Sequence, residues 1–101
     1  MVRSKSEVII ANILFERKIP FEYEAELVIG GRQFSPDFTI KWKDQTYYWE
    51  HLGLLEQEQY KSEWNAKEAM YKKHFPGRLI TTTESAVLSK TAESLVNQHF
   101  S

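Results

Sequence analysis

The sequence contains no cysteine, which excludes disulfides and cysteine-ligated zinc and fits a reducing cytosol. No apolar run approaches the roughly 18 residues that a membrane-spanning helix requires. The opening Met1-Val2-Arg3-Ser4-Lys5-Ser6 leads into a short amphipathic stretch and lacks the pattern of a signal peptide. Internal repeats, low-complexity tracts and Pro/Gly-rich linkers are missing as well. The formal net charge is only −1, so the chain as a whole carries no basic signature of nucleic-acid binding. Any such signature must be local. These absences together predict a cytoplasmic chain that does not enter a membrane.

What is present is enough apolar material for a core: 42% of the 101 residues are hydrophobic and 14% aromatic. That length predicts one domain spanning 1–101, near the small end of the usual range. Ser4-Lys5-Ser6-Glu7 has the spacing of a capping box, with Ser4 as the cap and Glu7 three residues on. Ile9, Ile10, Ile13 and Leu14 then recur at helical spacing, and Pro20 bars continuation. Residues 21–27 alternate apolar and acidic, predicting a strand with Glu22, Glu24 and Glu26 on a wet face. Gly30 and Gly31 mark a turn. Residues 33–42 alternate again and predict a second strand, with Phe34, Pro36, Phe38, Ile40 and Trp42 on one face. A third strand is expected over 46–52, a helix over about 56–75, a β-branched strand over 79–83 and a last helix bearing Leu88, Ala92, Leu95, Val96 and His99. The expected architecture is α/β, in the order αβββαβα, with a four-stranded mixed sheet flanked by helices. The passage from the third strand to the fourth is long enough for a right-handed parallel crossover.

Asp37 and Glu50 fall on adjacent strands. In an antiparallel hairpin, paired residue numbers have a constant sum. If Lys43 and Asp44 form a two-residue loop, Trp42 pairs with Gln45, and Asp37 with Glu50 gives the same sum. Their Cβ atoms would then lie about 5 Å apart on one face. Lys-Asp is not a preferred pair for such a loop, and a shift of one residue would bring His51 opposite Asp37. Like charges facing each other destabilise a sheet, so a compensating cation is expected. Two or three carboxylates with open positions suit Mg²⁺ or Mn²⁺, hard ions that keep water and engage phosphate oxygens.

Ser35-Pro36-Asp37-Phe38 and Trp49-Glu50-His51-Leu52-Gly53, behind a helix carrying Glu7, resemble the PD-(D/E)XK nuclease superfamily, whose restriction-endonuclease-like core has the αβββαβ order. The stretch from Tyr48 to Gly53 followed by Tyr60, Trp64 and Lys67 is similar to nuclease-like domains appended to bacterial DNA helicases. The resemblance implies a Mg²⁺- or Mn²⁺-dependent deoxyribonuclease in which Asp37 and Glu50 hold the metal and Glu7 is the additional acid of the first helix. The sequence departs from that pattern in one place. The family's lysine belongs two residues after the glutamate, where this chain has Leu52. Lys67, on the stripe Tyr60, Trp64, Lys67, Tyr71, and His51, which a regular strand points away from Glu50, are the two candidates to replace it.

Each of these residues also has a plainer role. Glu7 serves a helix cap, His51 can be a satisfied structural histidine, and Lys67 can lay its stem over Trp64 with its head in water. The Glu22, Glu24 and Glu26 row reads as a solvated strand face. Basic residues gather at Lys61, Lys67, Lys72, Lys73 and Arg78, with Arg3 and Lys5 brought near by the expected fold. They fit phosphate contacts or merely a solvated surface. Against the nuclease stands a catalytically silent module that positions DNA or a partner inside a larger helicase-type protein, favoured by Leu52. A third reading is a self-associating scaffold. The three histidines show no paired spacing for an HNH-type site. The lack of a private basic channel points to a domain excised from a larger protein, or to a homodimer.

Overall fold

The computed structural model describes residues 4–101. Helix α1 covers Lys5–Glu16, and the Ser4 hydroxyl accepts from the Glu7 backbone N–H at 3.2 Å. Half of the expected capping box therefore forms, because the Glu7 carboxylate turns elsewhere. Arg3 lies outside the described residues.

The two alternating stretches each break in the middle. Residues 21–27 yield only strand β1, Phe21–Tyr23, before Glu24 takes a left-handed conformation with φ 54°. Its N–H then donates to the Asp37 carbonyl at 3.1 Å. Leu27–Ile29 becomes β2 and pairs with β3, Arg32–Phe34, as a separate two-stranded hairpin. Gly30 and Gly31 close it with φ of 58° and 80°, a pair of left-handed residues that favours glycine. Pro36 then interrupts the second stretch: it has no N–H to give a ladder, and β4 starts afresh at Phe38–Trp42. The single strands expected over 21–27 and 33–42 are thus each two elements. Strict alternation fits either arrangement, and only the conformations at Glu24 and Pro36 separate them.

Strand β5, Gln45–Leu52, helix α2, Glu58–His74, strand β6, Leu79–Thr83, and helix α3, Leu88–His99, complete the chain. The main sheet is mixed and four-stranded, in the order β1-β4-β5-β6. β4 and β5 are antiparallel, with Trp42 opposite Gln45 and Phe38 opposite Trp49. β5 and β6 are parallel, with Glu50 opposite Thr81 and His51 opposite Thr82. The Lys43-Asp44 loop does have two residues, both left-handed, at φ 49° and 64°.

Alternation along β5 sorts its side chains between two cores. Trp49 joins Phe38, Ile40 and Ile80 beneath α1 and α3, while Tyr48 and Leu52 join Trp64 and Tyr71 beneath α2. Burial of each large side chain of this kind contributes on the order of 1.5–3 kcal/mol. Among the described residues no helix is long and apolar enough to cross a membrane. The sheet therefore carries helices on both faces, and Glu50, on the α2 face, is only 5% exposed.

Candidate functional site

Glu50 lies within a layer of aromatic residues, yet one of its carboxylate oxygens has two partners. Oε2 accepts from the Tyr71 hydroxyl at 2.7 Å and stands 2.6 Å from the Lys67 ammonium. Lys67 and Tyr71 are one helical turn apart on α2, so both reach down from the same face to the same oxygen. Charge-assisted bonds of this kind are what make a buried carboxylate tolerable. The Tyr71 hydroxyl in turn is held protonated, first by burial and then by the Glu50 charge, which push its pKa far above the usual value. Leu52, in the slot where the resemblance would place a lysine, is buried against Trp64 and Tyr71.

Asp37 sits one residue before the β4–β5 ladder begins, and the same register continued places it opposite Glu50. Its Oδ2 accepts from the His51 backbone N–H at 2.7 Å. The carboxyl is nevertheless pushed up to about 6. Burial is the main cause, opposed by the His51 N–H, and the charges of Glu50 and Glu7 raise it further while Lys67 lowers it. Negative charge therefore accumulates around Asp37 beyond what Lys67 offsets.

Glu7 reaches this cluster from α1, where its Oε1 accepts from the Tyr23 hydroxyl. An open cleft of about 580 Å³ is lined by Glu7, Glu24, Asp37, His51, Tyr60 and Glu84, among others. Tyr60 lines this cleft with Asp37 and a neighbouring hollow with Glu50, and its pKa is raised by burial and then by those two charges. The His51 ring faces away from Glu50. Nδ1 is 2.8 Å from the Thr82 hydroxyl and Nε2 is 2.6 Å from Glu84 Oε1. Glu84 also accepts from Ser6 at 2.6 Å, and these two contacts, Ser6 first, hold its carboxyl below the ordinary range. His51 thus contributes its backbone N–H to Asp37 and its ring to a brace between β5 and the loop after β6.

Glu24, Tyr71 and Glu84 escaped the sequence reading as site residues. Tyr71 had a signal, its four-residue spacing from Lys67. Glu24 was hidden in an alternating row that the left-handed turn breaks, and it lines the cleft while Glu22 and Glu26 stay on the surface. Glu84 lies beyond the end of β6, where no local pattern announces it. Lys61, Lys72 and Lys73 are exposed, and Lys72 lies 3.7 Å from Glu68 on the same helix. Arg78 covers Tyr47, with 5.9 Å from guanidinium to ring centroid.

The donor set fits a hard divalent cation in part. Asp37 Oδ1 and Glu50 Oε1 are carboxylate oxygens outside these bonds, and a cation would offset the burial and the neighbouring charges that raise Asp37. Among the described residues, however, no three His, Asp or Glu side chains stand together as a ready metal-holding group. A cation here would take two carboxylates, and water or phosphate oxygens would fill its remaining positions.

No protein-family model and no solved structure matches the chain. Over 77 residues the chain is 40% identical to an uncharacterized protein of Methanocaldococcus jannaschii. The match takes in 72% of this chain but spans only 6% of that relative.

Proposed function

We propose that this chain is a metal-dependent nuclease module that hydrolyses phosphodiester bonds of DNA, built on a restriction-endonuclease-like core of the PD-(D/E)XK type. The observation that carries the reading is the 2.6 Å approach of Lys67 to Glu50, beside an Asp37 carboxyl raised to about 6. A lysine brought from a helix onto a buried strand glutamate supplies the charge that the strand position of Leu52 does not. The order of elements around the mixed sheet, with α1 supplying Glu7, is compatible with that core.

In this reading Asp37 and Glu50 hold Mg²⁺ or Mn²⁺, and Glu7 adds negative charge at the cleft. The bound ion would polarise the phosphodiester and favour hydroxide at neutral pH. Lys67 fixes the Glu50 carboxylate through Oε2, leaving Oε1 for the cation. Its ammonium also offsets part of the charge that Asp37 and Glu50 share, and it can orient water toward a phosphate. Tyr71 donates to the same oxygen. The His51 N–H fixes the rotamer of Asp37. Placement within a larger protein, such as one carrying a helicase, is compatible with the match to a small part of a much longer relative.

The test is cleavage of supercoiled plasmid by purified protein in Mn²⁺ or Mg²⁺. Wild type nicks or degrades the plasmid, and Asp37→Ala and Glu50→Ala abolish this. Activity equal to wild type in either variant would show that the site is elsewhere. A silent module is the second reading, favoured by the absence of a three-ligand group among the described residues and by the occupied Glu50 oxygen. It predicts no Mn²⁺ binding by calorimetry and no cleavage.

A further inference from the structure

The acid cleft has two further hollows for neighbours. It shares Tyr60 with a hollow beside Glu50, and that hollow shares Glu63 and Lys67 with a third groove of about 370 Å³. The third groove runs between α2 and the β2–β3 hairpin, where Arg32, Phe34 and Met70 line it.

The hairpin's register explains how Arg32 comes to be there. Leu27 pairs with Phe34 and Ile29 with Arg32, so the four side chains share one face. Ile29 is buried and Leu27 packs on the core beneath α2, so this is the inward face. Arg32 shares that face but is itself exposed, so its charge reaches solvent at the rim of the groove. Its guanidinium lies 5.6 Å from the Phe34 ring centroid, and among the described residues no carboxylate pairs with it. The result is a cationic-aromatic wall in a groove that also holds Lys67.

We infer that this groove is a track for single-stranded nucleic acid, in which Phe34 stacks on a base and Arg32 holds a phosphate of the strand entering the acid cleft. The position of the scissile phosphate rests on the nuclease reading, but strand binding by the hairpin does not. Duplex DNA is held mainly by many phosphate contacts, which a chain of net charge −1 with dispersed lysines does not offer. Stacking needs little net charge and contributes about 1–3 kcal/mol per base. Glu63 in the shared wall repels a closely running phosphate backbone, which turns base faces, not phosphates, toward α2.

Anisotropy of fluorescein-labelled oligo-dT of ~15 nucleotides, and of a duplex of the same length, measures this in EDTA, where cleavage cannot occur. The single strand binds at least about fivefold more tightly than the duplex, and Phe34→Leu and Arg32→Gln each weaken it by about fivefold or more. Arg32→Gln also lowers the slope of log affinity against log salt by about 0.7, the value for one lost phosphate contact. Both variants retain wild-type hydrolysis of bis(4-nitrophenyl) phosphate in Mn²⁺, a substrate too small to need the groove. Arg32 is exposed, so its variant keeps the test valid even if Phe34→Leu does not fold. Equal or tighter duplex binding, no binding of the single strand, or unchanged binding in Arg32→Gln overturns the track. Hydrolysis with unchanged strand binding removes the groove and keeps the nuclease. Strand binding lost in the variants, with no hydrolysis by wild type, does the reverse.

Discussion

Lys67 and Glu50 meet at 2.6 Å across the interface between α2 and the sheet, with the lysine side chain 27% exposed and the glutamate 7%. A pair at that depth is sensitive to loss of one partner, because the remaining charge is stranded. Lys67→Met keeps much of the apolar stem and removes the charge. We expect it to lower cleavage by about two to three orders of magnitude, the usual scale for a group that stabilises charge in a transition state. Mn²⁺ affinity, measured by calorimetry, should be retained or rise, since the neighbouring ammonium no longer repels the cation. His51→Gln should do less to cleavage, because the imidazole faces Thr82 and Glu84. A dead His51→Gln beside an active Lys67→Met would reverse these roles.

The raised pKa of Asp37 makes a prediction about stability. Its folded value, about 6, lies above the unfolded value of 3.8, so the folded state holds the proton more tightly. Stability without metal is therefore greatest below pH 4 as far as this group is concerned, and falls as pH rises from about 4 to 6. Above that window the ionised carboxyl costs on the order of 1–2 kcal/mol, allowing for solvent screening of a partly exposed group. Asp37→Asn can still accept from His51 and removes the charge. Its thermal midpoint should exceed wild type at pH 7.5 without metal, and the difference should vanish near pH 4. A constant difference across that range would assign the effect to packing.

The β4–β5 turn offers a test away from the site. Lys43 and Asp44 both adopt left-handed φ, which Asp tolerates better than Lys and Gly best of all. Lys43→Asn with Asp44→Gly should raise stability by about 1 kcal/mol in urea unfolding, with no change in cleavage. A loss of stability would mean that the Lys43 contacts to Trp42 and to the Ser101 carbonyl outweigh the turn strain.

That turn also shows how far the sequence could be read. Counting outward from a two-residue loop gave the β4–β5 register, even though Lys-Asp is an unfavourable loop pair, because aromatic and β-branched residues on both strands lock one alignment. The helical stripe of α2 was legible for the same reason, since Trp64 and Tyr71 must be buried and Lys67 shares their face. The β2–β3 hairpin was not legible. Its residues continue the alternation of their neighbours, so the pattern alone could not show that Glu24 and Pro36 lift it out of the main sheet. The brace of Ser6, Glu84 and His51 joins α1, the loop after β6 and β5, and contacts so distant in sequence leave no periodic trace.

The last prediction concerns Tyr71, which is fully buried and gives its hydroxyl to Glu50 at 2.7 Å. Tyr71→Phe preserves the ring contacts with Tyr48 and Trp64 and removes one donor from a buried carboxylate. Hydrogen bonds to charged groups contribute about 1.5–3 kcal/mol, so a loss of that size is expected in urea unfolding near neutral pH. The loss should depend on Glu50. In a Glu50→Leu background no carboxylate awaits the hydroxyl, which is then itself a buried donor without its partner, so Tyr71→Phe should become neutral or stabilising. The double-mutant cycle therefore yields a coupling of about 1 kcal/mol or more. Additive effects would mean that the hydroxyl does not support the carboxylate, and that Lys67 alone holds Glu50 in the site. Cleavage adds an independent readout: with Lys67 in place Tyr71→Phe should keep activity within about tenfold of wild type, because Tyr71 does not line the cleft.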